Sequence, residues 1–374
     1  MQLPLKWLIC LSAALLLIIL AAGLKPRGFR LVNRVSWIKE RPGIGFNRFG
    51  IAYTNAWDGL AAPRKSDSAG FSAEMALKPA SYRDCTFEFI LAFDNGDDSD
   101  QLVISQWRSS LIVMNGDDYE YRDITNKISV DLDSSAPTTR FVTITSGQEG
   151  TQIFFDGKLV GFKKNLWLKI PAGGKTRLLM GNSADGKYPW WGEIYGLAFY
   201  RHTLASREIA LHFDRWLRDQ RFSFAGDDNP FVLYRFDEKR GTRVFDHSGG
   251  NRHLEIPPLM QALKKEILAP PWNDFNFSGD FIGDTILNLI GFIPFGFILS
   301  VTLMRAGGAF GKNAVLITVA FCFLISLSIE ILQAWMPSRT SSMRDLILNT
   351  LGAWVGAFTY RFFSRPVREK HRES

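Results

Sequence analysis

The sequence predicts a multidomain membrane protein in three parts: an N-terminal transmembrane helix, an all-β sandwich, and a C-terminal three-helix transmembrane α bundle. Three observations predict it. Apolar runs of membrane-spanning length lie near the two ends of the chain. The long middle is polar and consists of short strand-like runs punctuated by turn residues. Cationic side chains collect beside the first and last apolar runs.

The chain has 374 residues, enough for two or three cores. A mean hydropathy of −0.02 averages over the split between apolar ends and polar middle. The net charge of +7 is concentrated at Lys25, Arg27, Arg30 and Arg34 after the first run and at Arg365, Arg368, Lys370 and Arg372 after the last. That placement reads as membrane flanks meeting acidic headgroups, with the lipid bilayer as partner. No basic–aromatic patch points to nucleic acid. The three cysteines, Cys10, Cys85 and Cys322, build neither a disulfide framework nor a CxxC metal site.

The first element is Trp7 to Leu24, WLICLSAALLLIILAAGL, an uncharged run close to the ~20 residues a spanning helix needs. Ala21-Ala22-Gly23 is small enough for signal cleavage. The apolar stretch exceeds the ~7–15 residues of a signal peptide, which favours an uncleaved anchor. Three further spans are expected at Phe281 to Met304, Asn313 to Met336 and Asp345 to Phe363, joined by short polar links. The basic tail over residues 364–374 argues for a cytoplasmic C-terminus. Four crossings then place the N-terminus inside too, and the middle domain outside.

That middle domain is expected over residues 42–258. FEFILAF, QLVISQW, SLIVMN, RFVTITS, TQIFFDGKLVGF and TRLLMGN are strand-like, and DNGDDSD, NGDD and SADGK are turn chemistry. Asp156-Gly157 between IFF and KLV is a hairpin signal. Many short strands at this spacing imply a β-sandwich.

FSAEMALKP, TQIFFDGKLVG, LLMGN and WWGEIYGLAFYRHTLASREIALHF, in that order, resemble the concanavalin A-like, laminin-G-like jelly roll over about 170 residues. The resemblance implies a domain that binds glycans or proteins, sometimes through calcium. YRFDEKRGTRVFDHSGGNRHLEIP resembles the opening of such a domain yet follows it here; it is either the closing strands beside the N-terminal ones or a fragment of a second copy. Asp94 and Asp246 are the calcium candidates, since hard cations need several oxygens; the plainer reading is a solvated acidic turn. No other cofactor is evident. Tyr188, Trp190 and Trp191 are candidates for stacking on sugar, against the commoner role of aromatics in a sandwich core. The five histidines have no metal-ligand spacing.

The last hundred residues contain near-repeats, DTILNLIG at Asp284 to Gly291 and DLILNTLG at Asp345 to Gly352. Asp284, Asn288 and Gly291 fall at steps of four and three, as do Asp345, Asn349, Gly352 and Gly356, so each set lies on one helical stripe. The antiparallel span between them carries Glu330 and Gln333 at the matching end, with Arg339 and Arg344 just beyond. A polar pocket of Asp284, Asn288, Glu330, Gln333, Arg339, Asp345 and Asn349 at one depth is therefore expected, with Glu330–Arg339 the preferred ion pair. Charged groups in a bilayer pair or face a wet cavity. Gly291, Gly296, Gly352 and Gly356 suit close helix packing, and Pro294 is expected to loosen its helix.

NLIGFIPFG, EILQ, PSRTSS and DLILNTLGAWVG resemble, in order and spacing, the VanZ family of bacterial membrane proteins. That resemblance implies a cell-envelope protein and a link to resistance to teicoplanin. The expected setting is the bacterial inner (cytoplasmic) membrane, with the pocket facing outward toward a lipid-linked precursor and the sandwich outside on envelope glycan. Two other classes compete. One is a membrane enzyme in which Glu330 or Asp345 is general base and Arg339 holds phosphate; no nucleophile–histidine pair or phosphate loop accompanies them. The other is a structural or adhesion scaffold. Oligomeric state is not readable from the sequence.

Overall fold

The structure is a computed structural model that describes residues 3–25, 32–58, 70–80, 87–119, 125–132, 138–171, 175–222, 229–271, 279–336 and 339–363, apart from the side chains of 279–281 and 360–363. Arg27, Arg30, Cys85 and the basic tail lie outside the described residues. The chain forms two compact units, Phe29–Lys264 and a second made of Met1–Gly28 with Lys265–Ser374.

The Phe29–Lys264 unit is a two-sheet antiparallel sandwich. Among the described residues, one eight-stranded sheet orders β1 (Val35–Trp37), β2 (Ile44–Phe46), β14 (Gly192–Tyr200), β5 (Gly70–Pro79), β10 (Arg140–Gly147), β11 (Gly150–Phe155) and β12 (Lys158–Lys163), with β15 (Val232–Tyr234) also on β14. The nine-stranded sheet orders β16 (Arg243–Val244), β17 (Leu254–Glu255), β3 (Ala52–Thr54), β13 (Lys175–Met180), β6 (Phe87–Asp94), β7 (Leu102–Trp107), β8 (Ser110–Asn115) and β9 (Lys127–Asp131), with β4 (Trp57–Asp58) on β13. Each expected strand is present. Asp156 and Gly157 have φ of 51° and 75°, the two positive values a tight primed hairpin turn needs between β11 and β12.

Side-chain alternation explains the layers. On β5, Phe71, Ala73, Met75 and Leu77 enter the core between the sheets, where they join Phe93, Ile104, Ile144 and Phe199. Ala76 points the other way, into a second layer with Phe141, Tyr195, Ala198 and Tyr200. Helix α2 (Ser206–Asp219) covers that layer with Ile209 and Trp216. Its first turn is closed by Glu208, which accepts from the Ala205 N–H at 2.6 Å. The segment after α2 completes the same sandwich: β15 pairs with β14, and β17 pairs with β3 near the N-terminal edge. It is therefore the closing part of this domain.

The other unit is helical. It comprises α1 (Leu5–Gly23), α3 (Gly279–Gly291), α4 (Ile293–Ala306), the short α5 (Gly308–Lys312), α6 (Ala314–Gln333) and α7 (Met343–Phe363). Three stretches among the described residues are long and apolar enough to cross a membrane: Leu5–Gly23, Ile282–Ala306 and Ala314–Gln333. The span expected at Phe281 to Met304 is divided into α3 and α4 at Phe292. Pro294, in the first turn of α4, supplies no N–H to the preceding turn, and the ladder restarts with Gly296 N–H donating to the Phe292 carbonyl at 2.9 Å. Helix α1 is part of this unit. Leu15, Leu16, Ile19 and Leu20 pack on a core of Phe292, Phe295, Cys322, Ile329 and Ala353.

Candidate functional site: the polar end of the helical unit

Helices α3 and α4 both run parallel to α7, and glycines set the distance. A Cβ added at Gly352 would lie 2.1 Å from the Leu289 carbonyl oxygen, and one at Gly356 would lie 2.1 Å from that of Ile293. On the facing helix, a Cβ at Gly296 would lie 2.3 Å from the Ala353 carbonyl. Backbone therefore meets backbone, as small residues at four-residue spacing permit. Gly291 faces open space and is outside this seam.

This packing brings the N-terminal turns of α3 and α7 to the C-terminal end of α6. Asp345, in the first turn of α7, is hydrogen-bonded to the Asn288 side chain and lies within electrostatic reach of Asp284, both on α3. Arg344 Nε approaches Asp345 Oδ1 at 3.3 Å. Glu330 is buried and accepts the Ser342 N–H at 2.7 Å, with the Ser341 side chain as a second partner. Asp345 and Arg339 both act electrostatically on Glu330. One turn deeper, Asn349 donates to Ser326 Oγ at 2.9 Å.

Gln333 and Arg339 have a different task. Gln333 donates to the Gly23 carbonyl at 2.7 Å. Arg339 Nη2 donates to Ala22 and Lys25 carbonyls at 3.1 Å each, and its Nε to Lys25 at 3.3 Å. These carbonyls close α1, whose last four would otherwise lack helical partners. A cation there also suits the negative end of the helix dipole. The guanidinium expected to pair with Glu330 thus also caps α1, and Arg344 sits with Asp345.

The polar residues at this end fall into four groups: Asp284–Asn288–Asp345–Arg344, Glu330 with Ser341 and Ser342, Gln333–Arg339 on α1, and Asn349 with Ser326. Three carboxylates and two guanidinium groups around serine hydroxyls can hold a ligand with both donors and anionic oxygens. Ser326 and the Ser342 N–H were not singled out by the sequence, although Ser326 lies four residues before Glu330, on the same face.

Within the sandwich, Asp94 and Asp246 serve their own loops. Asp94 Oδ1 accepts from Gly96 N–H at 3.0 Å, and Oδ2 lies 3.6 Å from Arg177. Asp246 Oδ1 accepts from Leu233 and Ser248 N–H, and Oδ2 from Arg252 N–H. Asp237, Glu238 and His247 lie within 4.8 Å of one another and offer an acidic cluster nearby. Trp190 is fully enclosed, its Nε1 donating to Gln106 at 2.9 Å. Tyr188 stacks on Phe89 at 5.5 Å in a partly buried aromatic group. Of the three aromatics considered for sugar contact, Trp191 is the exposed one, at 37 %, with Arg48 over its ring.

A membrane protein that joins a helical unit with a polar end to a concanavalin A-like sandwich is what this architecture defines, and comparison with known proteins agrees. Residues 231–364 match the VanZ/LLP1 family, and residues 57–210 match the concanavalin A-like lectin/glucanases superfamily. The first match begins inside the strands that close the sandwich. Protein VanZ of Enterococcus faecium is 31% identical over 96 residues, which is 26% of this chain and 55% of that protein, so the likeness spans about half of the relative's length. Among solved structures, a Bacteroides ovatus ATCC 8483 protein inferred to bind carbohydrate is similar at 12% identity and TM-score 0.40, covering 58% of each chain. The CBM40 of a Ruminococcus gnavus IT-sialidase, bound to α2,3 sialyllactose, is similar at 13% identity and TM-score 0.31 over 42% of this chain and 96% of its own. These structural likenesses are too distant to speak for a ligand.

Proposed function

We propose that this chain is a multi-pass protein of the bacterial inner (cytoplasmic) membrane. Its outward-facing polar end receives the headgroup of an envelope lipid or lipid-linked precursor, and its sandwich, outside the cell, takes up envelope glycan. The observation that carries the reading is the convergence of Asp284, Asn288, Glu330 and Asp345, with Arg339 and Arg344, at one end of an otherwise apolar unit. Carboxylates at a membrane boundary persist where they meet a polar ligand or one another. Sugar hydroxyls and amines suit the acids, and a phosphate suits the arginines.

Two measurements test it. Full-length protein in detergent, examined by native mass spectrometry after extraction, should retain an anionic envelope lipid or precursor. Glu330→Gln and Asp345→Asn should lose it while still inserting. Equal retention by all three proteins would sink the headgroup site. Single cysteines at Asp156 and Ser341, after removal of the native ones, should label on intact cells with an impermeant reagent, and one at Ser374 should not. Labelling at the tail alone would invert the topology. The likeness to VanZ adds the proposal that cells making this chain tolerate teicoplanin better. Inhibitory concentrations with and without Glu330→Gln would show it.

A further inference from the structure

Helix α6 carries a second pattern. Thr318, Cys322, Ser326 and Glu330 recur every four residues and lie on one face. All four are buried. At ~1.5 Å per residue they extend over about 18 Å, more than half of a ~30 Å hydrocarbon core. Thr318 lies one turn from the start of α6, and Glu330 lies at the polar end described above.

The hydroxyls along this face behave unlike others in the helical unit. A serine or threonine in an apolar helix usually donates to the carbonyl four residues back. Ser12, Thr302, Ser328, Thr350 and Thr359 do so, at 2.7–2.9 Å. Thr318 does not, and neither does Ser300 of α4; both are completely buried with hydroxyls that meet no partner among the described residues. Asn349, 5 % exposed, gives its amide to Ser326, while its Oδ1 also lacks a partner. Buried polar atoms of this kind are the usual anchors of internal water.

We propose that Thr318, Ser300, Ser326 and Asn349 hold a hydrated track through the helical unit that delivers protons to Glu330 from the opposite membrane face. A proton enters at the Asn313 end of α6 and passes along hydroxyls and bridging water. It comes to rest on the Glu330 carboxylate, and the ligand site or outer water takes it from there. The charged and titratable groups around Glu330 are Asp345 and Arg339, with Asp284 and Arg344 next to Asp345; Cys322 is the one on its own helix face. The proposal rests on Glu330 lining the proposed headgroup site and makes that site proton-coupled.

The test uses the full chain in vesicles loaded with a pH-sensitive dye, with a potassium–valinomycin potential driving protons inward. Wild type should acidify the lumen faster than protein-free vesicles. Thr318→Val and Glu330→Gln should fall to the protein-free rate, and Thr318→Ser should recover. Wild-type flux equal to that of Glu330→Gln would overturn the proposal. A second readout needs no flux. With Cys10 and Cys85 replaced by serine, silver ions should protect Cys322 from later alkylation, while the outward-facing Leu324→Cys, made with Cys322 also replaced, should stay unprotected. Protection no faster at Cys322 than at position 324 would also overturn it. Neither readout includes a lipid-linked ligand, so failure of the headgroup reading and failure of the proton track give different results.

Discussion

Glu74 has no exposure at all, and it faces away from the sandwich core on β5, toward α2. Its Oε2 lies 2.9 Å from His212 Nδ1 and accepts from Tyr200 at 3.0 Å. Burial pushes its carboxyl above the ordinary 4.5, while hydrogen bonds from His212, Tyr200 and Thr143 pull the other way. The folded carboxyl thus holds its proton more tightly than the unfolded one. The stability from this group is fully present below about 4.5 and lost as pH rises through the folded value. Wild type should therefore lose stability relative to Glu74→Gln as pH rises, measured by amide exchange in β5 and β14 of the full chain; parallel pH profiles would refute it. Neighbouring tryptophans make a second residue-scale contrast. Trp190→Ala should destabilise the sandwich by about 3–5 kcal/mol, as for other large buried aromatics, read from the thermal unfolding of the domain. Trp191→Ala should change stability by less than ~0.5 kcal/mol and instead weaken glycan binding on an array. Sequence alone made both plausible sugar contacts. They precede β14, whose register shifts between Ile194 and Gly196, so parity does not say which ring turns inward.

At the scale of elements, glycines in similar motifs do opposite things. Alanine at Gly352 or Gly356 places a methyl about 2.1 Å from a carbonyl oxygen on the facing helix, which must move. Helix propensity favours alanine by ~1 kcal/mol, but overpacking costs about 1–3 kcal/mol and also separates the polar first turns. Both variants should lower the midpoint of unfolding in a denaturing-detergent titration. Gly291→Ala meets nothing and should be neutral or slightly stabilising. The four-residue spacing made the Gly352–Gly356 seam legible beforehand, and the hairpin at Asp156-Gly157 was legible for the same local reason. Two things were not. Near-identity of DTILNLIG and DLILNTLG implies matching roles, yet Asp345 is in the first turn of its helix while Asp284 is six residues into α3. The offset arises because α3 already begins at Gly279, ahead of the motif. The Ser342 N–H that meets Glu330 is a backbone group, which no side-chain pattern reveals.

The whole molecule shows where sequence reading runs out most clearly. Its class, its sandwich and its apolar helices follow from composition and periodicity. The role of α1 does not, because its partners are remote in sequence. Arg339 and Gln333 reach carbonyls more than 300 positions earlier, and hydrophobicity alone gives a lone anchor no partner. Arg339→Ala should loosen α1 by about 0.5–1.5 kcal/mol, the worth of a partly exposed hydrogen-bonded charge. Cysteines placed at Gly23 and Ile329 should then crosslink more slowly than in wild type; unchanged crosslinking would mean that Gln333 and apolar packing hold α1 without Arg339. This arrangement also sets a timetable for synthesis. At ~5–20 residues per second, the 317 positions between Ala22 and Arg339 take roughly 16–60 s to translate. Throughout that interval α1 waits in the bilayer with no arginine to close it, while the sandwich emerges and folds behind it. The uncharged run from Trp7 to Gly23 lets it wait, and the helical unit gains this cap only once Arg339 has been made.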